Sequence, residues 1–124
     1  MGYIAHHTIV VTSWDYSAAF DKDRSMFAET ARQKAIEIFG PGLVSNMVDS
    51  WINGYKTFFI APDGSKEGWD ESNKGDSLRK EFKKWLESQA YEDGSNHYDW
   101  AEIRFGGDEP QYGNVMDYNG KGKE

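Results

Sequence analysis

The segment Tyr3–Trp14 constrains the fold of this chain more than any other. It is rich in β-branched residues, which favour the pleated surface of a strand, and strand side chains alternate between two faces. One set consists of Ala5, Ile9 and Val11. The other set, which is polar and aromatic, consists of His6, Thr8, Val10, Thr12 and Trp14. Such a strand has one face in a core and one face that is wet or contacts a partner, so we look for function on the second face.

An amphipathic helix is predicted over Phe20–Phe39, after turn chemistry at Asp15-Tyr16-Ser17. Its apolar residues recur with helical spacing on one stripe. They are Phe20, Phe27, Ala31, Ala35, Ile38 and Phe39. Gly40-Pro41-Gly42 ends the helix, because glycine takes the left-handed cap position and proline cannot continue the hydrogen bonding.

A β-hairpin is predicted next, with Val44–Trp51 and Tyr55–Ala61 as its strands. Asn53-Gly54 lies between these two apolar runs, and both residues tolerate the positive φ that a tight hairpin turn requires. Lys66–Trp69 is a possible short extension of the hairpin. The polar segment Asp63–Asp76 otherwise forms a long loop.

A second helix and a last strand complete the pattern. The helix is predicted to begin with Asp76 as its N-cap and to end near Gln89, because its apolar residues recur with helical spacing. These residues are Leu78, Phe82, Trp85 and Leu86. The strand is Tyr98–Phe105. The chain from Pro110 onward is rich in Gly, Asn, Lys and Asp, and Asn119–Glu124 is expected to be disordered.

The order β-α-β-β-α-β predicts an α+β, ferredoxin-like fold, a four-stranded antiparallel sheet with two helices on one face. It forms a single domain over residues 1–108, followed by a Gly/Asn-rich, partly disordered tail over residues 109–124. The first strand is expected between Tyr55–Ala61 and Tyr98–Phe105. The face under the helices then holds Ile9, Val11, Ile103 and Phe105. A different position for the fourth strand is the alternative topology.

Charge and composition limit the class of partner. Fourteen basic and twenty-one acidic residues give a net charge of −7, which disfavours nucleic acid because binding to phosphate depends on Lys and Arg. Five Trp, seven Tyr and seven Phe exceed what a small core needs, and clustered surface aromatics mark interfaces. We therefore expect a protein partner with a basic surface or a ring-shaped ligand. The chain has no cysteine and no apolar run near the ~18 residues of a membrane span, so a cytoplasmic location without membrane contact is expected.

The face of the sheet without helices is the first candidate binding site. Its predicted residues are His6, Thr8, Thr12, Trp14, Trp100, Glu102 and Arg104. A protein or dimer interface is the favoured role, and a small-ligand platform is the second. The face has the outline of RNA-binding sheets but lacks their aromatic-rich segments and basic flanks.

The polar loop is the second candidate site, with Trp69, Asp70 and Glu71 as its binding residues. The simpler role, which we favour, is that Trp69 fixes the loop to the core. The glycines of the loop do not follow a phosphate-binding pattern, and no nucleophile motif occurs, so no catalytic residue is assigned.

The pair His6-His7 suggests a metal site that His97 could join. Adjacent strand residues point to opposite faces, so His6 and His7 cannot bind one ion in a regular strand. No metal and no cofactor are therefore expected.

Three stretches carry a resemblance to a known group of proteins. They are HHTIVVTSW over residues 6–14, NGYKTFFIAPDGSKEGW over residues 53–69 and YDWAEIRFG over residues 98–106. Together they resemble small uncharacterised proteins of tailed phages and prophages, over most of the chain up to Asp108. This resemblance implies a context in which small acidic proteins bind and block a host protein, including defence nucleases.

The leading hypothesis is a non-enzymatic, small acidic binding protein that acts on a host protein in the host cytoplasm. The alternative is a small-ligand or nucleotide binder, or an enzyme, that uses the open sheet face of a homodimer. A salt-sensitive homodimer is expected in addition, because two large rings on an open face need a cover. The C-terminal segment and the loop around Trp69 are the competing covers.

Overall fold

The computed structural model describes residues 4–14, 27–107 and 114–120. The fold is α+β, with two helices and five strands in this part of the chain. In chain order they are β1 (His6–Trp14), α1 (Phe27–Phe39), β2 (Val48–Asp49), β3 (Tyr55–Ile60), α2 (Asp70–Ser88), β4 (Tyr98–Phe105) and β5 (Asn114–Tyr118). The predicted turn at residues 15–17 and the predicted helix start at Phe20 lie outside the described residues.

The strands form one antiparallel sheet in the order β2-β3-β1-β4-β5. The prediction that β1 lies between β3 and β4 is confirmed. The prediction of four strands is wrong, because β5 pairs with β4 inside the segment that composition marks as a tail. Asn119 is also ordered: its N–H donates to Trp100 O at 2.9 Å, and its Oδ1 accepts from Trp100 N at 2.6 Å.

The β2–β3 turn has the predicted geometry, with φ of 67° at Asn53 and 70° at Gly54. Both angles lie in the left-handed region, as predicted. The connection is a four-residue loop, 51–54, closed by a hydrogen bond from Ser50 N–H to Tyr55 O at 2.8 Å. The strand before the turn is shorter than predicted, because only Val48–Asp49 pair as a strand and Val44 forms an isolated bridge with Ile60. Lys66 bridges to Ile4 and does not extend the hairpin.

The N-cap of helix α2 lies seven residues before its predicted position. Trp69 is the N-cap residue, and Asp76 lies inside the helix, where its Oδ1 accepts a hydrogen bond from Arg79 Nη2 at 2.5 Å. Gly75 is buried in this first part of the helix, and a Cβ at that position would lie 2.6 Å from Asp63 Oδ2. Gly75, one of the residues that predict a loop here, is therefore explained by a close approach of the helix to the Asp63 side chain.

The core lies between both helices and one face of the sheet. The sheet contributes Ile9 and Val11, as predicted, together with Phe58 and Ile60. The helices contribute four buried residues to the same cluster, namely Ala31, Ala35, Phe82 and Leu86. The small side chains of α1 allow its backbone to lie close to the sheet.

The face assignment predicted for β4 is wrong. Ile9 pairs with Glu102 and Val11 with Trp100, and directly paired residues share a face. Trp100 is 4% and Glu102 is 7% exposed, beneath the helices. By the same register Arg104, which pairs with His7, is on the helix side, whereas Ile103 and Phe105 are on the open side.

Candidate functional site

One face of the sheet has no helix against it in the described part of the chain, and we call it the open sheet face. The strand registers assign fifteen side chains to it. They are His6, Thr8, Val10, Thr12, Trp14, Val48, Tyr55, Thr57, Phe59, Asp99, Ala101, Ile103, Phe105, Val115 and Tyr118. Asp99 is the only acidic or basic residue of this set apart from the histidine.

Five aromatic rings give the open sheet face its character. Each is between 39% and 56% exposed, although a strand holds each one in place. They are Trp14, Tyr55, Phe59, Phe105 and Tyr118. At about 200 Å² a ring, they expose on the order of 400 Å² of surface, and Val48 and Val115 extend it. The largest apolar patch on a typical monomer is about 300–600 Å² and is often functional.

The polar groups on the open sheet face are largely occupied within the sheet. Thr12 Oγ1 lies 2.9 Å from Thr57 Oγ1, and Thr8 Oγ1 donates to Ile60 O at 2.6 Å. The His6 ring packs against Phe105 with 5.4 Å between the ring centroids. The face therefore offers apolar contact area more than hydrogen-bonding groups.

The structure brings together four of the seven predicted site residues. His6, Thr8, Thr12 and Trp14 lie on the open sheet face, whereas Trp100, Glu102 and Arg104 lie on the helix side. The sequence reasoning missed the aromatic residues of β3 and β5 and placed Phe105 in the core. The sequence of β3 contains a signal that could have found them. Tyr55 and Phe59 lie on one face of this strand and Phe58 and Ile60 on the other, so both faces are apolar.

A group of ionisable side chains under α2 forms what we call the buried ion cluster. Its members are His7, Arg79, Lys83, Glu102 and Asp117. Lys83 Nζ lies 2.5 Å from Glu102 Oε1 and 3.1 Å from Asp117 Oδ2, and Arg79 Nε lies 3.4 Å from Glu102 Oε2. Burial alone lowers the pKa of Lys83, but the hydrogen bonds to these two carboxylates outweigh it and the pKa is raised.

His7 connects the buried ion cluster to the segment before α2. Its Nε2 lies 3.0 Å from Glu67 Oε2, and its Nδ1 lies 4.0 Å from Glu102 Oε2. His6 and His7 point to opposite faces, as predicted, and His97 stacks on Phe27 with 3.8 Å between the rings. Within residues 4–14, 27–107 and 114–120, no group of three or more His, Asp or Glu is arranged to hold a metal ion.

The buried ion cluster borders an open groove of about 640 Å³. Lys80 and Lys84 line the groove together with Glu67 and Glu87, so its rim carries both signs of charge. Arg79, Lys83, Glu102 and Asp117 each have an opposite charge within 4.0 Å, and these contacts join α2 to β4 and β5. We therefore assign the cluster a structural role: it holds α2 against the sheet.

The second predicted site, at Trp69, Asp70 and Glu71, forms the start of α2. The Lys66 ammonium lies 5.5 Å from the centroid of the Trp69 ring, which is half exposed. Asp70 and Glu71 are exposed in the first helical turn, where a negative charge interacts favourably with the helix dipole. These local contacts account for the three residues as part of the helix start. Their binding role stays a prediction.

No family model, curated protein or solved structure matches this chain. The resemblance to phage proteins therefore stays a prediction. Neither of the two described helices is long and apolar enough to cross a membrane.

Proposed function

We propose that this chain is a non-enzymatic binding protein that docks another protein on the open sheet face. The observation that carries the proposal is the chemistry of that face: five half-exposed rings and, besides histidine, a single charged side chain. The centre of a protein interface is depleted in charged residues and enriched in Tyr, Trp and Phe. A ring held by a strand also loses little conformational freedom on binding, which favours affinity.

The distribution of charge supports the same function. The sheet contains other charged residues, but the registers place them on the helix side. They are Asp49, Lys56, Glu102, Arg104 and Asp117. The chain has a net charge of −7, whereas the open sheet face carries almost no charge. This difference favours contact with apolar protein surface.

The proposal includes the fold type. We propose that β1 to β4 and the two helices form a ferredoxin-like unit, to which β5 adds a fifth strand at the edge. The order β2-β3-β1-β4 and the shared core of the two helices support it. In such a unit the helices occupy one face and leave the other face available.

Affinity capture tests the proposed function. Tagged wild-type protein, Phe59→Asp and Tyr91→Asp are each incubated with a lysate of the cells that make the protein, together with an untagged copy. Phe59 and Tyr91 are similarly exposed, at 46% and 49%, but only Phe59 lies on the open sheet face. We expect the wild type and Tyr91→Asp to retain proteins that Phe59→Asp loses. The same retained proteins for all three would contradict the proposal.

A further inference from the structure

We infer that the protein docked on the open sheet face is a second copy of this chain, in a two-fold dimer with the two sheets packed face to face. This inference rests on the proposed function, because it names the partner of the same surface. Its support comes from the shape, area and charge of the face, and from the position of β5.

The shape of the face suits a symmetric contact. Five strands give a width of about 24 Å, with β1 in the middle, and packed sheets lie about 10 Å apart. In a two-fold dimer the same patch serves both copies, so it must fit itself. A broad apolar surface meets this condition, because ring-to-ring contact requires no pairing of donors with acceptors.

The area of the face indicates a dimer of moderate strength. The rings expose on the order of 400 Å², and the valines and half-buried residues between them add to this. A standard interface buries about 800 Å² on each partner. The rings alone supply about half of this area, so the dimer should be of moderate strength at most, and the fraction of dimer should depend on protein concentration.

The charges predict how salt affects this association. Two copies of net charge −7 repel each other, but the open sheet face carries only Asp99, and the remaining sheet charges lie on the far side of each sheet. Charges separated by more than about 8 Å are largely screened at physiological ionic strength. Added salt should therefore tighten the dimer. A basic partner would show the opposite dependence, because salt screens attraction between opposite charges.

The described part of the C-terminal segment does not cover the face. Strand β5 lies in the sheet beside β4, and its Val115 and Tyr118 pair with Ile103 and Ala101. These two side chains are more than half exposed and widen the open sheet face. The segment thus extends the docking surface.

Light scattering over a range of protein concentrations, at low and high salt, tests the inference. We expect the wild type and Tyr91→Asp to approach twice the monomer mass as concentration rises, and to do so earlier at high salt. We expect Phe59→Asp to stay a monomer, with a circular dichroism spectrum and cooperative melting that match the wild type.

Cross-linking tests the geometry without a disruptive charge. The chain has no cysteine, so single-cysteine variants are unambiguous. Thr12 lies on the open sheet face, whereas Ser77 is exposed on α2. A bismaleimide whose reach matches the ~10 Å sheet separation should link Thr12→Cys into dimers and leave Ser77→Cys monomeric.

The outcomes separate this inference from the proposed function. A wild type that stays a monomer at every concentration and salt level overturns the second copy as partner, while capture of another protein that Phe59→Asp loses would still support the proposed function. A dimer that persists in Phe59→Asp and links through Ser77→Cys but not Thr12→Cys overturns the inference. If capture is also insensitive to Phe59→Asp, the proposed function fails with it.

Discussion

At the residue scale, Glu102 determines which face of β4 meets the helices. A buried carboxylate is costly unless cations and hydrogen bonds compensate it, and Lys83 and Arg79 of α2 provide that compensation. Strand side chains alternate between the two faces of the sheet. Because Glu102 lies beneath α2, Ile103 and Phe105 lie on the open side. The sequence could not predict this arrangement, because the cations are about twenty positions away and their alignment depends on the phase of the helix.

Removal of the Lys83 ammonium should destabilise the fold. We expect Lys83→Met to lower the free energy of unfolding by about 3 kcal/mol, because it leaves two buried carboxylates short of a cation. Lys80→Met is the matched control, since Lys80 is exposed and forms no ion pair within the described residues. Urea denaturation measures both. Equal stability of the two variants would contradict the role assigned to the cluster.

The raised pKa of Lys83 gives a pH dependence of defined sign. The folded state holds this proton more tightly than the unfolded state, so the contribution is present below the ordinary value of 10.5 and is lost as pH rises through the folded pKa. We expect the wild type to lose more unfolding free energy than Lys83→Met as pH rises above 10.5. Parallel curves from urea denaturation at each pH would show that Lys83 is not the group responsible.

At the element scale, local turn and pairing signals predict most of the sheet. The Asn53-Gly54 hairpin and the central position of β1 follow from the sequence, because turn chemistry and apolar alternation are local properties. The early start of α2 and the presence of β5 do not follow from local sequence signals. Both lie in polar, glycine-containing segments. Gly75 of α2 packs close to the Asp63 side chain, and Asn119, which follows β5, is hydrogen-bonded to Trp100.

Truncation distinguishes a fifth strand from an unstructured tail. A chain that ends at Gly107 lacks β5, the Asp117–Lys83 ion pair and the Asn119–Trp100 hydrogen bonds. At about 1 kcal/mol for each hydrogen bond lost, we expect at least about 2 kcal/mol of destabilisation in urea. A chain that ends at Gly120 keeps these contacts and should match the wild type. If the two truncated chains were equally stable, β5 would contribute nothing to the fold.

At the scale of the whole molecule, the two faces of the sheet have different roles. The helix side holds the apolar core and the compensated charges, whereas the open sheet face carries rings in an otherwise acidic protein. The sequence predicts that such a face exists and places four of its residues there, on β1. The remaining rings follow from the strand registers, which depend on long-range pairing.

Side-chain oxidation followed by mass spectrometry tests the central claim most directly, because it reports each ring of the unmodified protein. As protein concentration rises, we expect oxidation to decrease at Trp14, Tyr55, Phe59, Phe105 and Tyr118. Oxidation at the exposed rings outside the open sheet face, namely Trp51, Trp69 and Tyr91, should stay constant. Unchanged oxidation of the five face rings, in samples that light scattering shows to be associated, would contradict the docking role of the open sheet face.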